Sequence, residues 1–190
     1  MRKHGPWTIK ETNRVYQDPY VALHVDQVIR PDGNHGQHVV VQIKPGVCVI
    51  AMDAQQQLHL TREFHYAVGR ESVEAVSGGI EPGEDPLLCA QRELQEELGL
   101  HANKWEYMMT VDPFTTIMES PTRLYLATEL SSVPKALEGT ETIETVVLPL
   151  EEAVEAVETG LISHAPTCVA ILLVSRHTVS YTHLTLPTKA

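Results

Sequence analysis

Apolar and polar positions alternate from residue 20 to 30, where Val21, Leu23 and Val25 are interleaved with His24 and Asp26. That period of two predicts a half-buried strand. The turn-rich string PDGNHG follows at 31–36 and predicts a chain reversal. Apolar runs at 37–44 and 47–53, joined through Pro45-Gly46, and a further run at 57–64 extend the prediction to a series of antiparallel hairpins. The period changes after Asp85-Pro86. At about 100° per residue, Leu87, Leu94 and Leu98 fall on one stripe of a helix. Pro86 is tolerated at a first turn, where its missing N–H would be unpaired anyway, and Gly99 marks the stop. Strands are predicted at 105–111 and 123–127, and helices at 151–158 and 166–175. Strands mixed with three helices give an α+β sandwich.

Composition narrows the class. The 190 residues, 43% hydrophobic and 21% charged, suit one globular domain, expected over 1–178 with an N-terminal β-subdomain over about 1–55. Cys48, Cys89 and Cys168 form no CxxC pattern, and an odd count argues against a disulfide framework. The N-terminal residues lack an apolar signal-like core, and no run approaches the roughly 18 apolar residues of a membrane span. A cytoplasmic protein with no membrane partner is expected. The formal net charge of -11 argues against nucleic acid as a partner, since backbone phosphates need clustered Lys and Arg. The string at 179–188 breaks with the apolar helix before it and resembles one reading frame of a transposase adapter used in sequencing libraries. Residues 179–190 are therefore expected to be a non-native tail with only incidental packing after about His177.

The chemistry is concentrated in GGIEPGEDPLLCAQRELQEELGL, residues 78–100. Glu93, Glu96 and Glu97 share an arc of roughly 100° on a helix face away from the leucine stripe. Carboxylates so close repel one another and call for positive charge. Hard oxygen donors suit Mg2+ or Mn2+, and a diphosphate would bring further oxygens to the same ions. A merely solvated acidic face would account for neither Gly78 nor Arg92 at their spacing from the acids.

This segment matches G-x5-E-x7-R-E-U-x-E-E-x-G-U (U apolar) at every fixed position, namely Gly78, Glu84, Arg92, Glu93, Glu96, Glu97 and Gly99, with apolar Leu94 and Leu100. It is identified as a Nudix signature. Residues 60–79, LTREFHYAVGRESVEAVSGG, resemble the stretch before that signature in the ADP-ribose pyrophosphatase branch, and the likeness runs from about Val15 to Arg176. It implies a Nudix α/β/α sandwich with an additional N-terminal antiparallel β-sheet that often exchanges across a homodimer. The implied activity is Mg2+-dependent cleavage of a small nucleotide sugar, ADP-ribose or a related nucleoside diphosphate sugar, to a nucleotide monophosphate and a sugar phosphate.

The resemblance also implies roles. Glu93 and Glu97 match the principal metal ligands, Glu96 completes the metal shell or orients water, and Ser77 offers a backbone carbonyl. Gly78, Glu84, Arg92 and Gly99 serve the architecture of the motif, with Glu84 and Arg92 expected to pair. Glu141 matches the downstream metal ligand or general base, with Glu138 second on the substrate side. Arg62, Arg70 and Glu74 match substrate-side positions, the arginines suiting phosphate through their planar, permanently charged fork. His65 stands where relatives commonly carry arginine. Two alternatives remain open: a Nudix hydrolase of another nucleoside diphosphate derivative, and a nucleotide-sugar sensor that binds without cleaving.

Overall fold

Four consecutive strands, β1 (Arg2–His4), β2 (Trp7–Gln17), β3 (Val21–Ile29) and β4 (His35–Ile43), pair antiparallel in chain order. Asp18 turns the chain between β2 and β3 by accepting from the N–H groups of Tyr20 and Val21, each at 2.7 Å. In the predicted reversal after β3, Gly33 takes φ 83°, a left-handed conformation that costs glycine nothing. The computed structural model describes residues 1–135 and 142–184, with side chains as far as His177. A short strand, β10 (Met118–Glu119), adds parallel to β4 and completes a five-stranded sheet.

The chain divides into two compact units, and this sheet is the first, Met1–Pro45 with Asp112–Pro121. It ends short of the boundary expected near residue 55, because the strand from Gly46 pairs within the other sheet. In β3 the buried side chains are Asp26 and Val28, while Val21, Leu23 and Val25 are only half-buried. The Asp26 carboxylate accepts from the Thr12 hydroxyl, as a buried acid requires.

The second unit, Gly46–Val111 with Thr122–Ala190, is built on β5 (Gly46–Met52). Its strands β6 (Gln57–His65), β9 (Leu100–Val111), β11 (Thr122–Ser132) and β12 (Glu144–Pro149) give the order β12-β6-β5-β11-β9, with β7 (Arg70–Glu74) on β6 and β8 (Val76–Gly79) on β5. Alternation along β5 makes the layers. Val47, Val49 and Ala51 pack with Cys89, Ala90, Leu94 and Leu98 of α1 (Pro86–Leu98). Cys48 and Ile50 pack to the other side with α2 (Leu150–Glu158) and α3 (Ala165–Leu184), through Leu150, Ala153, Ala170, Ile171 and Val174. Helix, sheet and helix thus form the expected α/β/α sandwich. The last helix continues past the predicted end at 175, its backbone helical to Leu184.

Candidate active site

The fixed letters of the motif fall on β8, the loop after it and α1. Asp85 caps α1, accepting from the N–H of Leu87 (2.9 Å) and Leu88 (3.3 Å), and Pro86 fills the first turn. Gly99 ends the helix at φ 62° and could hold no side chain, since a Cβ there would lie 2.8 Å from Val133 O and from Lys135 Cγ. Both limits of the helix are therefore set by local residues.

Gly78 has a different reason to be glycine. A Cβ on it would lie 1.9 Å from Glu93 Cδ and 2.0 Å from Oε1, so the Glu93 carboxylate rests directly on the β8 backbone. Arg92 holds the acids from the other side. Its Nη1 lies 2.7 Å from Glu93 Oε1 and 2.9 Å from Glu96 Oε2, and its Nε donates to Glu84 Oε1 at 3.1 Å. Glu84 in turn accepts from the Glu81 N–H at 2.8 Å, closing the loop onto the helix. The hydrogen bond from Arg92, then that from Glu81, hold the Glu84 carboxyl below its ordinary range, while the same acids push Arg92 further up. Glu97 is buried at 8% exposure. Cys89 beneath the loop is pushed up to about 12, first by burial and then by the charges of Glu84 and Glu93.

A divalent ion suits this donor set. Glu93, Glu96, Glu97 and the Ser77 carbonyl are all oxygen donors, and Gly78 keeps the β8 backbone clear for the Glu93 carboxylate. Among the described residues no three His, Cys, Asp or Glu side chains already converge as a closed metal cage; two of the three acids lean on Arg92 instead. Mg2+ needs no such cage, because it takes one or two carboxylates and keeps waters or substrate phosphates for the rest of its shell.

The substrate-side residues do not gather in one place. Strand alternation puts Arg62 on one face of the β6–β7 ribbon, 3.7 Å from Glu144 and beside a cavity of about 350 Å³ lined also by Phe64 and Glu71. Arg70 and Glu74 occupy the other face. Arg70 Nη2 donates to Ser163 Oγ at 2.7 Å, and Glu74 lies between His65 Nε2 (3.2 Å) and His164 Nδ1 (3.1 Å). The two imidazole contacts had no signal in the sequence, where the residues are far apart. Glu138 and Glu141 lie outside the described residues. Among those described, no helix is long and apolar enough to cross a membrane.

Two known domain families match the chain in tandem: the nucleoside diphosphate sugar hydrolase N-terminal domain over residues 7–41 and the NUDIX domain over 42–167. The chain belongs to the Nudix family. The ADP-ribose pyrophosphatase of Mycobacterium tuberculosis is 31% identical over 184 residues, 95% of this chain and 88% of that protein. A methanol dehydrogenase activator of Bacillus methanolicus is 28% identical over 166 residues, 86% and 89% of the two chains. The crystal structure of an ADP compounds hydrolase has a TM-score of 0.79 at 20% identity, over 95% of this chain and 98% of that one, and so shares the fold. As a Nudix enzyme the chain is a pyrophosphohydrolase of the nucleoside diphosphate sugar class, a family that works with divalent metal ions.

Proposed function

We propose that this Nudix enzyme hydrolyses the diphosphate bond of ADP-ribose, releasing AMP and ribose 5-phosphate, with Mg2+ as its ion. The observation that carries the site assignment is the Glu93 carboxylate seated on Gly78, one residue from Arg92 and on the same helix as Glu96 and Glu97. Bound divalent ions would neutralise the charge of the diphosphate and lower the pKa of a water. Glu93 and Glu97 would hold them as principal ligands, with Glu96 and the Ser77 carbonyl completing the shell. Arg92 keeps Glu93 and Glu96 in place, and Glu84 keeps Arg92. An acid takes the proton of the attacking water as one P–O bond of the bridge breaks; Glu141 is the choice for that base, with Glu138 beside it toward substrate. Arg62 and Arg70 are the candidate phosphate donors.

The active form is proposed to be a cytoplasmic homodimer. The exposed Val15, Tyr16, Tyr20 and Val39 of the first unit support a partner there, and light scattering on the purified chain measures it.

The test is hydrolysis of ADP-ribose and a panel of other nucleoside diphosphate derivatives, with Mg2+, with Mn2+ and with chelator, products being resolved by chromatography. Ion-dependent AMP release with preference for ADP-ribose is expected. Preference for another panel member would overturn the substrate, and nucleotide binding without any cleavage would overturn the reaction in favour of a sensor.

A further inference from the structure

The chain changes partner strand just before it reaches the acids of α1. β7 pairs with β6 as far as Glu74, opposite Thr61, and β8 pairs with β5 from Val76, opposite Val49. Ala75 stands in neither ladder, yet it is only 1% exposed, and a buried peptide group without a partner costs as much as a lost hydrogen bond. Three hydroxyls supply the partners. Thr61 Oγ1 donates to Glu74 O at 3.2 Å, Thr167 Oγ1 accepts the Ala75 N–H at 2.9 Å, and Ser77 Oγ donates to Ala75 O at 2.9 Å. Of these, Thr167 is the one that comes from a helix. It lies in the first turn of α3, is fully buried at 0% exposure, and its hydroxyl is 2.9 Å from His164 Nδ1.

We propose that Thr167 is a positioning residue for the metal side of the site, acting through the Ala75 peptide on Ser77 and Gly78. The inference rests on the function proposed above, in which the Ser77 carbonyl and Glu93 hold the ion.

The path is short and each link is a contact. The Ser77 hydroxyl is tied back to Ala75 O, so the Ala75 peptide and Ser77 are oriented together. Gly78 follows, and Glu93 rests on it so closely that a Cβ there would lie 1.9 Å from Glu93 Cδ. Without an acceptor at 167 the Ala75 N–H is left buried and unsatisfied, and turning the peptide to relieve that carries Ser77 and Gly78 with it. Ladder pairing with β5 begins only at Val76, so it limits the turn without preventing it. α3 and α1 cover opposite sides of the sheet. A hydroxyl on the α3 side thus sets backbone that is used on the α1 side.

The test uses T167V, which keeps the side-chain volume and removes the acceptor, T167S, which restores it, and I171V, which trims the core side of the same helix. Mn2+ binding to the chain alone is read by electron paramagnetic resonance, beside kinetics of ADP-ribose hydrolysis and thermal melts. T167V is expected to weaken Mn2+ binding and to lower kcat about tenfold each, the low end of the loss when a ligand's supporting group is removed, with KM for ADP-ribose within about twofold of wild type. T167S should behave as wild type. I171V should melt lower yet keep ion binding and kcat within about twofold. Amide hydrogen exchange of the wild type needs no variant: Mg2+ should slow the Ala75 amide more than that of Ile171, because an ion that binds only the closed form opposes local opening there. The proposal is overturned if T167V binds Mn2+ and turns over within about twofold of wild type, if T167S does not restore both, or if I171V lowers both as far as T167V does. Should T167V give no folded protein, an Ala75 amide whose exchange Mg2+ leaves unchanged overturns it. Failure of the hydrolase assignment reads differently. Wild type would then cleave no panel member, and Mn2+ binding and exchange would decide Thr167 by the same criteria.

Discussion

Gly78→Ala isolates the contact on which the proposed metal side depends. The added methyl would lie 1.9 Å from Glu93 Cδ, 2.0 Å from Oε1 and 2.4 Å from Cγ, far inside van der Waals contact. The clash reaches Cγ, so turning only the end of the side chain cannot relieve it; Glu93 must leave its rotamer and give up its 2.7 Å contact with Arg92. Arg92 is 35% exposed, so the lost pair costs little beyond the overpacking itself, about 1–3 kcal/mol. For a chain of this size that is a fall of about 2–12 °C in Tm. Activity should suffer far more, because a displacement of about 1 Å in a reacting group costs on the order of 100-fold in rate. The assay is ion-dependent hydrolysis of ADP-ribose beside a thermal melt. A variant that melts like wild type and turns over within a few-fold of it would refute the reasoning, because Glu93 would then not need the space that Gly78 leaves.

Gly99→Ala forces φ 62° on a residue with a Cβ and sets that atom 2.8 Å from Val133 O; urea unfolding should show a loss of about 1–3 kcal/mol. Asp85→Ala removes the acceptor for two N–H groups of α1 and should cost about 1 kcal/mol in the same measurement. Glu84, held below its ordinary value of 4.5 first by Arg92, contributes stability that is complete above about that pH and is lost as the pH falls through its folded pKa. Melting curves of Glu84→Gln and wild type should therefore differ near neutrality and converge in acid. Arg92→Gln leaves Glu93 and Glu96 without their counter-charge, so saturating Mg2+ should raise its Tm by more than it raises that of wild type; an equal rise would show that Arg92 and the ion do not serve the same acids.

Local chemistry was legible in the chain and long-range pairing was not. The limits of α1 followed from Asp85, Pro86 and Gly99, because a cap, a first-turn proline and a left-handed stop each act within four residues. The hairpins β3–β4 and β5–β6 followed from alternation and turn residues, but the one expected through Pro45-Gly46 did not form, because β4 and β5 pair in different sheets. The strand β2 was not legible, since its residues from Lys10 onward are all exposed and no core imposes a period on them. In β3 the pattern was visible but its inner side was not: Asp26 is buried because Thr12, fourteen residues away, satisfies it. Within the site, the glycine at 78 was legible as a letter of the motif, while its cause, contact with Glu93, exists only once β8 and α1 are folded together. That Arg62 and Arg70 lie on different faces was not legible for a geometric reason: eight residues apart across a hairpin, they pair with Val73 and His65 respectively.

The same division of faces holds in the short strand β8. In the antiparallel ladder of β8 with β5, Gly78 pairs with Val47 and Ser77 with Cys48. Val47 belongs to the core under α1 and Cys48 to the core under α3, so consecutive residues of β8 are paired to opposite layers, Gly78 to the side of α1 and its acids and Ser77 to the side of α3. Cys48 is fully buried there, and burial first, then the charges of Glu74 and Glu97, push its thiol up to about 12. Because β8 is held along its length by β5, a displacement on either face is resisted by a paired strand rather than absorbed by a loop. The position of Glu93 on Gly78 is a consequence of those four residues of backbone.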